Sequence, residues 1–247
     1  MNYIYTLICC FVGLNVFAQS QLEKANTLHD RFIYVEAAKE YELYLETAKN
    51  VPAEVYMNVG DTYYHLRDFN NAKKYYEKWY TLAGPNSNNL QGYQYYDTLR
   101  FLKEYDKAST VVETYIKERQ IDGLLNAYYE ERSRFNELLK GDTLYEVKNL
   151  DINSQYADFG GSFSDNTFVF SSSRNKDINQ ITERDNTPYL AIYKAELNAN
   201  GELTDVGLYN DKLETPYHDA TVSFSPNSKY LYYASSFQDG RRKVFKG

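Results

Sequence analysis

From residue 19 to about residue 140 apolar positions recur every three to four residues, and beyond residue 141 they alternate every two. The first period predicts amphipathic helices and the second predicts half-buried strands. The chain is therefore expected to be an α + β multidomain protein, with helices over 19–140 and strands over 141–247. A third pattern stands in front. Residues 3–18 are uncharged and mostly apolar, too short for the ~20 residues that span a bilayer, and they end in Val16-Phe17-Ala18. Small residues at the two positions a signal peptidase reads make 1–18 an expected secretory signal peptide. It has no Lys or Arg before its apolar run.

The helical part repeats itself. Residues 53–85 read as two helices joined by a tight turn and stopped by Pro85. Tyr56, Val59, Gly60 and Tyr63 fall on one face of the first helix, and Ala72, Tyr76 and Trp79 on one face of the second. Gly60 and Ala72 are small where two helices must cross closely. Upstream, Ala37, Tyr41 and Tyr44 stand 35 residues before Ala72, Tyr76 and Trp79, and Ala25 precedes Ala37 by the same 12 residues as Gly60 precedes Ala72. Downstream, Ala108, Val112 and Tyr115 follow at a step of 36, with Tyr96 where a small residue is expected. Residues 122–140 read as a capping helix. An unrelated helical bundle is the alternative reading of the same periodicity.

The strand-rich part also repeats. Residues 153–164, NSQYADFGGSFS, align with 214–225, ETPYHDATVSFS, at an offset of 61. With one residue inserted at the turn, the next strands align as well. Each copy predicts a β-hairpin around a polar turn, Asp165-Asn166 in the first and Pro226-Asn227-Ser228 in the second. Between them, YLAIYKAEL, the turn Asn198-Ala199-Asn200-Gly201 and the segment Leu203–Leu208 supply further strands. Four strands per repeated unit is the logic of a propeller blade.

These motifs carry a resemblance. Residues 53–85 resemble the tetratricopeptide repeat, and SFSPNSKYLYYASS resembles the WD40-like propeller repeat called PD40, with Asn227-Ser228 replacing Asp-Gly. INSQYADFGGSFSDNTFVFSSSRN is similar to the first blade of periplasmic proteins that join tetratricopeptide repeats, a PD40 propeller and a C-terminal OmpA-like domain. Members are linked to type IX secretion, the PorE type among them. The resemblance implies a tetratricopeptide-like α-solenoid over 19–140 and the start of a β-propeller over 141–247, one blade and part of a second. Closed propellers have about four to eight blades, so the chain is expected to be the N-terminal portion of a longer protein. Peptidoglycan would be reached only through the OmpA-like domain, which has no counterpart in these residues.

Composition narrows the function classes. The formal charge of −7 argues against nucleic-acid binding, which needs a basic face. Both cysteines, Cys9 and Cys10, lie in the expected signal segment, so cleavage after Ala18 would leave no thiol for a disulfide or a metal. His29, His65 and His218 have no metal-ligand spacing. His218-Asp219 lacks a GxSxG elbow and aligns with Ala157-Asp158, which makes it a strand-entry motif rather than part of a triad. Gly160-Gly161 reads as a bulge or a close approach. The Asp- and Asn-rich stretch 177–186 reads as a solvated loop, with calcium binding as its alternative, and Arg241-Arg242-Lys243 as surface charge.

No catalytic residue, metal or cofactor is expected, and the chain is read as a non-enzymatic, exported scaffold in the periplasm, associated with the outer membrane. Its expected partners are envelope proteins. The candidate peptide-groove residues are Glu54, Met57, Asp61, Tyr64 and His65, an acidic and aromatic set that disfavours a carboxylate ligand. The alternative is the front part of a propeller-bearing exported hydrolase or peptidase.

Overall fold

The computed structural model describes residues 19–84, 91–119, 123–141, 148–174 and 181–236. The expected signal segment and Arg241-Arg242-Lys243 lie outside them. The chain is α + β and divides into two compact units, Met1–Leu144 with Glu183–Asp185 and Tyr145–Thr182 with Asn186–Gly247.

Seven helices are seen among the described residues of the first unit: α1 (19–30), α2 (Tyr34–Thr47), α3 (Ala53–His65), α4 (Phe69–Ala83), α5 (Gln91–Phe101), α6 (Tyr105–Arg119) and α7 (Leu124–Leu139). They pair as α1–α2, α3–α4 and α5–α6, and the turn inside each pair has one geometry. Phe32, Arg67 and Lys103 adopt φ of 63°, 58° and 61°. The next residue's N–H, that of Ile33, Asp68 or Glu104, reaches back to the carbonyl of Leu28, Tyr63 or Leu99. The left-handed residue itself donates to His29, Tyr64 or Arg100. This double bond pattern satisfies the carbonyls left open at a helix end. The turns recur at steps of 35 and 36 residues, the steps that separate Ala37, Ala72 and Ala108.

A side chain in the left-handed region costs about 1 kcal/mol or more, which glycine avoids. We therefore expect Arg67→Gly and Lys103→Gly each to raise stability by about 0.5–1 kcal/mol in urea unfolding. A loss instead would show that these side chains contribute more than their backbone strain costs.

Small residues let the pairs close. Ala25, Ala37 and Ala72 are fully buried. A Cβ added at Gly60 would lie 2.7 Å from Tyr76 Cδ1, so the Tyr76 ring occupies the space that glycine leaves. One cluster gathers Ala25, Ala37, Tyr41, Val59 and Tyr75; the next gathers Met57, Ala72, Tyr76, Trp79, Tyr95 and Leu99. Each large ring taken from water contributes on the order of 2 kcal/mol. The clusters run from pair to pair, an arrangement consistent with a solenoid.

Among the described residues, the second unit contains antiparallel strands that do not close into a barrel. Strands β1 (Asp158–Ser164), β2 (Thr167–Ser172), β3 (Ala191–Leu197) and β4 (Leu203–Leu208) form one sheet in sequential order. Strands β5 (Asp219–Phe224) and β6 (Leu231–Ser235) form a second. Alternation gives the first sheet two apolar faces. Phe170, Ala191, Tyr193 and Ala195 cluster on one, while Val169 and Ile192 on the other pack with Val222, Phe224 and Leu231 of the second sheet.

The two hairpins are structural copies. Asp158 accepts from Ser154 N–H as Asp219 accepts from Thr215 N–H. Both first strands bulge, between Phe159 and Ser162 and between Ala220 and Val222. Gly160 at φ 65° matches Thr221 at φ 58°. Beyond Gly160, the Gly161 Cα faces the Phe168 ring with no room for a Cβ, so the pair is both bulge and close approach. One detail differs from the sequence alignment. Asp158 pairs with Ser172 and Asp219 with Ser235, so the turn of the second copy carries two extra residues rather than one.

Candidate functional site

The five candidate groove residues all lie on α3, and the structure uses most of them to hold the helical pairs together. Asp61 is buried, and its Oδ2 lies 2.9 Å from His29 Nε2 on α1 and 3.6 Å from His65 Nε2 one turn along α3. Tyr34, at the start of α2, stacks on His65 with ring centroids 4.6 Å apart. In the other direction the Tyr64 hydroxyl donates to Asp97 Oδ2 on α5 at 3.0 Å. Polar side chains therefore link α1 to α3 and α3 to α5 along the array.

Met57 does not face an open groove. It is buried in one cluster with Ala72, Tyr76 and Trp79 of its own partner α4 and with Tyr95 and Leu99 of α5 in the next pair. Glu54 is the exposed member of the set, and Tyr64 and His65 are half-buried.

The electrostatics follow from this packing. Burial works against a charged His29, but the hydrogen bond and negative charge of Asp61 outweigh it and hold its pKa above the ordinary imidazole value. His65 goes the other way: burial outweighs its weaker attraction to Asp61 and lowers its pKa. Burial first, then the bond to Asp97, pushes the Tyr64 phenol up to about 12. Among the described residues, Asp61 Oδ1 and the Tyr76 hydroxyl are buried without a hydrogen-bond partner. The cluster ties α1 to α3 through groups that can change charge with pH.

The other sequence candidates stand apart. His218 accepts from Leu190 N–H through Nδ1 at 3.2 Å and meets Tyr189 edge-on at 4.7 Å, a strand-entry contact. Of the loop 177–186, residues 177–180 lie outside the described part. The rest is a turn in which Thr182 N–H bonds to Thr187 O and Asn186 N–H to Thr182 O. No group of three or more His, Cys, Asp or Glu placed to hold a metal is found among the described residues. None of the described helices is long and apolar enough to cross a membrane.

Sequence reasoning missed a cavity of about 340 Å³ that α7 forms with α5 and α6. Its aromatic walls are Tyr96, Tyr105, Tyr128 and Phe135. Arg132 and Arg134 interleave with Tyr128 and Phe135 in the sequence of α7, while Tyr96 and Tyr105 come from α5 and α6. Neither a protein-family model nor a curated protein matches the chain.

Proposed function

We propose that this chain is an exported, non-enzymatic scaffold that works through protein contacts at the cell envelope, in the manner of the tetratricopeptide and PD40-propeller proteins linked to type IX secretion. The observation that carries the reading is the repetition of helix pairs closed by one turn geometry at steps of 35 and 36 residues. Stacked helix pairs of this kind present an extended surface built from neighbouring repeats, which suits partner proteins better than small substrates. The duplicated hairpin at an offset of 61 supports a propeller-type second unit, itself a frame for contacts. The apolar segment before Gln19 supports export.

The test is a pull-down of the tagged native-locus protein from detergent-solubilised envelope, with the N-terminus of the product read by mass spectrometry. An N-terminus at Gln19 and recovery of outer-membrane secretion components are the expected results. An intact Met1 and a cytosolic product without envelope partners would overturn the proposal.

A further inference from the structure

Two histidines from different helices aim at one oxygen of a buried carboxylate. His29 Nε2 on α1 lies 2.9 Å from Asp61 Oδ2, and His65 Nε2 on α3 lies 3.6 Å from the same atom. Asp61 Oδ1 is buried with no hydrogen-bond partner among the described residues, so the imidazoles are what answers the charge of this carboxylate. Both rings are held in place by α2. Tyr34 stacks on His65 at 4.6 Å, and Tyr34 and Tyr41 meet His29 edge-on at 5.9 and 6.4 Å.

The remaining ionisable neighbours set how many protons this group can hold. On α1 the exposed Asp30 carboxylate lies 3.5 Å from His29 Nδ1. Tyr34 and Tyr41 of α2 and Tyr76 of α4 have phenols that burial pushes up, so they stay neutral while a histidine titrates. Arg184, which belongs to the same compact unit, lies 5.7 Å over the Tyr34 ring, and its charge opposes a proton on His65. With both histidines charged, three cations would therefore face one buried and one exposed carboxylate.

We infer that His29, Asp61 and His65 form a one-proton latch between α1 and α3, closed most firmly when His29 alone is protonated and loosened when that proton leaves or a second one binds. A charged His29 donates from both ring nitrogens, Nε2 to Asp61 and Nδ1 towards Asp30, whereas a neutral imidazole donates from one. A proton on His65 adds a cation that the same oxygen must share, beside His29 and Arg184. Each pair of a stacked array rests on its neighbours, so the latch sets how firmly the first pair is held to the second. It goes beyond the scaffold reading and stands without it.

The two histidines give pH dependences of opposite sign. The pKa of His29 is raised above 6.5, so its contribution is complete below that value and is lost as pH rises through the folded-state pKa. The pKa of His65 is lowered below 6.5, so stability is lost as pH falls from that value through the folded-state pKa. The helical unit is therefore expected to be most stable near pH 6.5. Its urea midpoint, read by Trp79 fluorescence on the full chain from about pH 5.5 to about pH 8.5, should fall on each side by on the order of 0.5 M. His29→Gln is expected to abolish the alkaline fall and keep the acid one, and His65→Gln to do the reverse.

A wild-type midpoint that is flat over this range, or a variant that keeps both falls, overturns the inference. Should a variant fail to fold, nuclear magnetic resonance titration of the imidazole Cε1 protons in the wild-type chain decides instead. One signal is expected to titrate above the free imidazole and another below it, and two cluster signals that titrate together at the free value overturn the latch. The pull-down result bears only on the scaffold reading, so either reading can fall while the other stands.

Discussion

Gly60→Val is expected to destabilise the helical unit by about 3 kcal/mol, and Gly60→Ala by about 1 kcal/mol. Two effects compete in the alanine variant. Replacing a mid-helix glycine recovers roughly 1 kcal/mol of helix propensity. Against that, the new Cβ would sit 2.7, 2.9 and 3.0 Å from Cδ1, Cε1 and Cγ of Tyr76. The ring is fully buried, with Trp79 edge-on at 6.2 Å and Tyr95 at 5.8 Å, so it has nowhere to retreat. Overpacking of this kind costs about 1–3 kcal/mol and wins. Valine adds two methyl groups to the same clash and forfeits the propensity gain. The clash is with ring carbons, so Tyr76→Phe leaves it in place, whereas Tyr76→Leu opens room and restores part of the loss in the double variant. Trp79, the chain's single tryptophan, is buried beside Tyr76 and reports the urea transition directly. A wild-type midpoint for Gly60→Val would show that α3 and α4 do not cross as described.

That crossing was legible in the sequence because size and period coincide there. Gly60 and Ala72 are small, Tyr76 and Trp79 are large, and the spacing puts them on facing sides. The turns were less legible in kind. Phe32, Arg67 and Lys103 occupy a glycine-favoured conformation without being glycine, so local chemistry gives no sign of it. The groove residues show a different gap. Counting along α3 places Asp61, Tyr64 and His65 near one another, but not that His29 and Asp97, 32 and 33 residues away, take two of them as partners. For Met57 the spacing is compatible with a groove or with the next pair's core, and only the stacking of α3 on α5 decides. The cavity needs Tyr96 and Phe135 brought together from 39 residues apart, which no local pattern reveals. In the sheets, the hairpin copy was visible through Asp158 and Asp219, whereas the length of the second turn is fixed by pairing register.

The same two aspartates give the second large effect. Asp158→Ala is expected to cost the strand unit about 3 kcal/mol, while Asp219→Ala costs less. Asp158 accepts from Ser154 N–H at 2.6 Å and Ser154 Oγ at 2.8 Å, and its other oxygen takes Arg174 at 2.7 Å. Asp219 repeats the backbone bond to Thr215, but its Oδ1 is buried with no hydrogen-bond partner among the described residues. Truncating Asp158 therefore leaves a largely buried guanidinium without its counter-ion, and truncating Asp219 leaves no charge behind. Acid should act on the first aspartate in the same way. Burial alone would raise the Asp158 pKa, but the bonds from Arg174, Ser172 and Ser154 outweigh it and hold it at about 2, below the usual 3.8. A depressed folded-state pKa stabilises above the unfolded value, here on the order of 2 kcal/mol, and that contribution is lost as pH falls from about 4 through about 2. Amide hydrogen exchange along β2 reads the strand unit separately from Trp79. Protection there should fall across this window in the wild type and be flatter with pH in Asp158→Ala. Equal loss in the two alanine variants would show that the ion pair with Arg174 contributes nothing beyond the shared backbone cap.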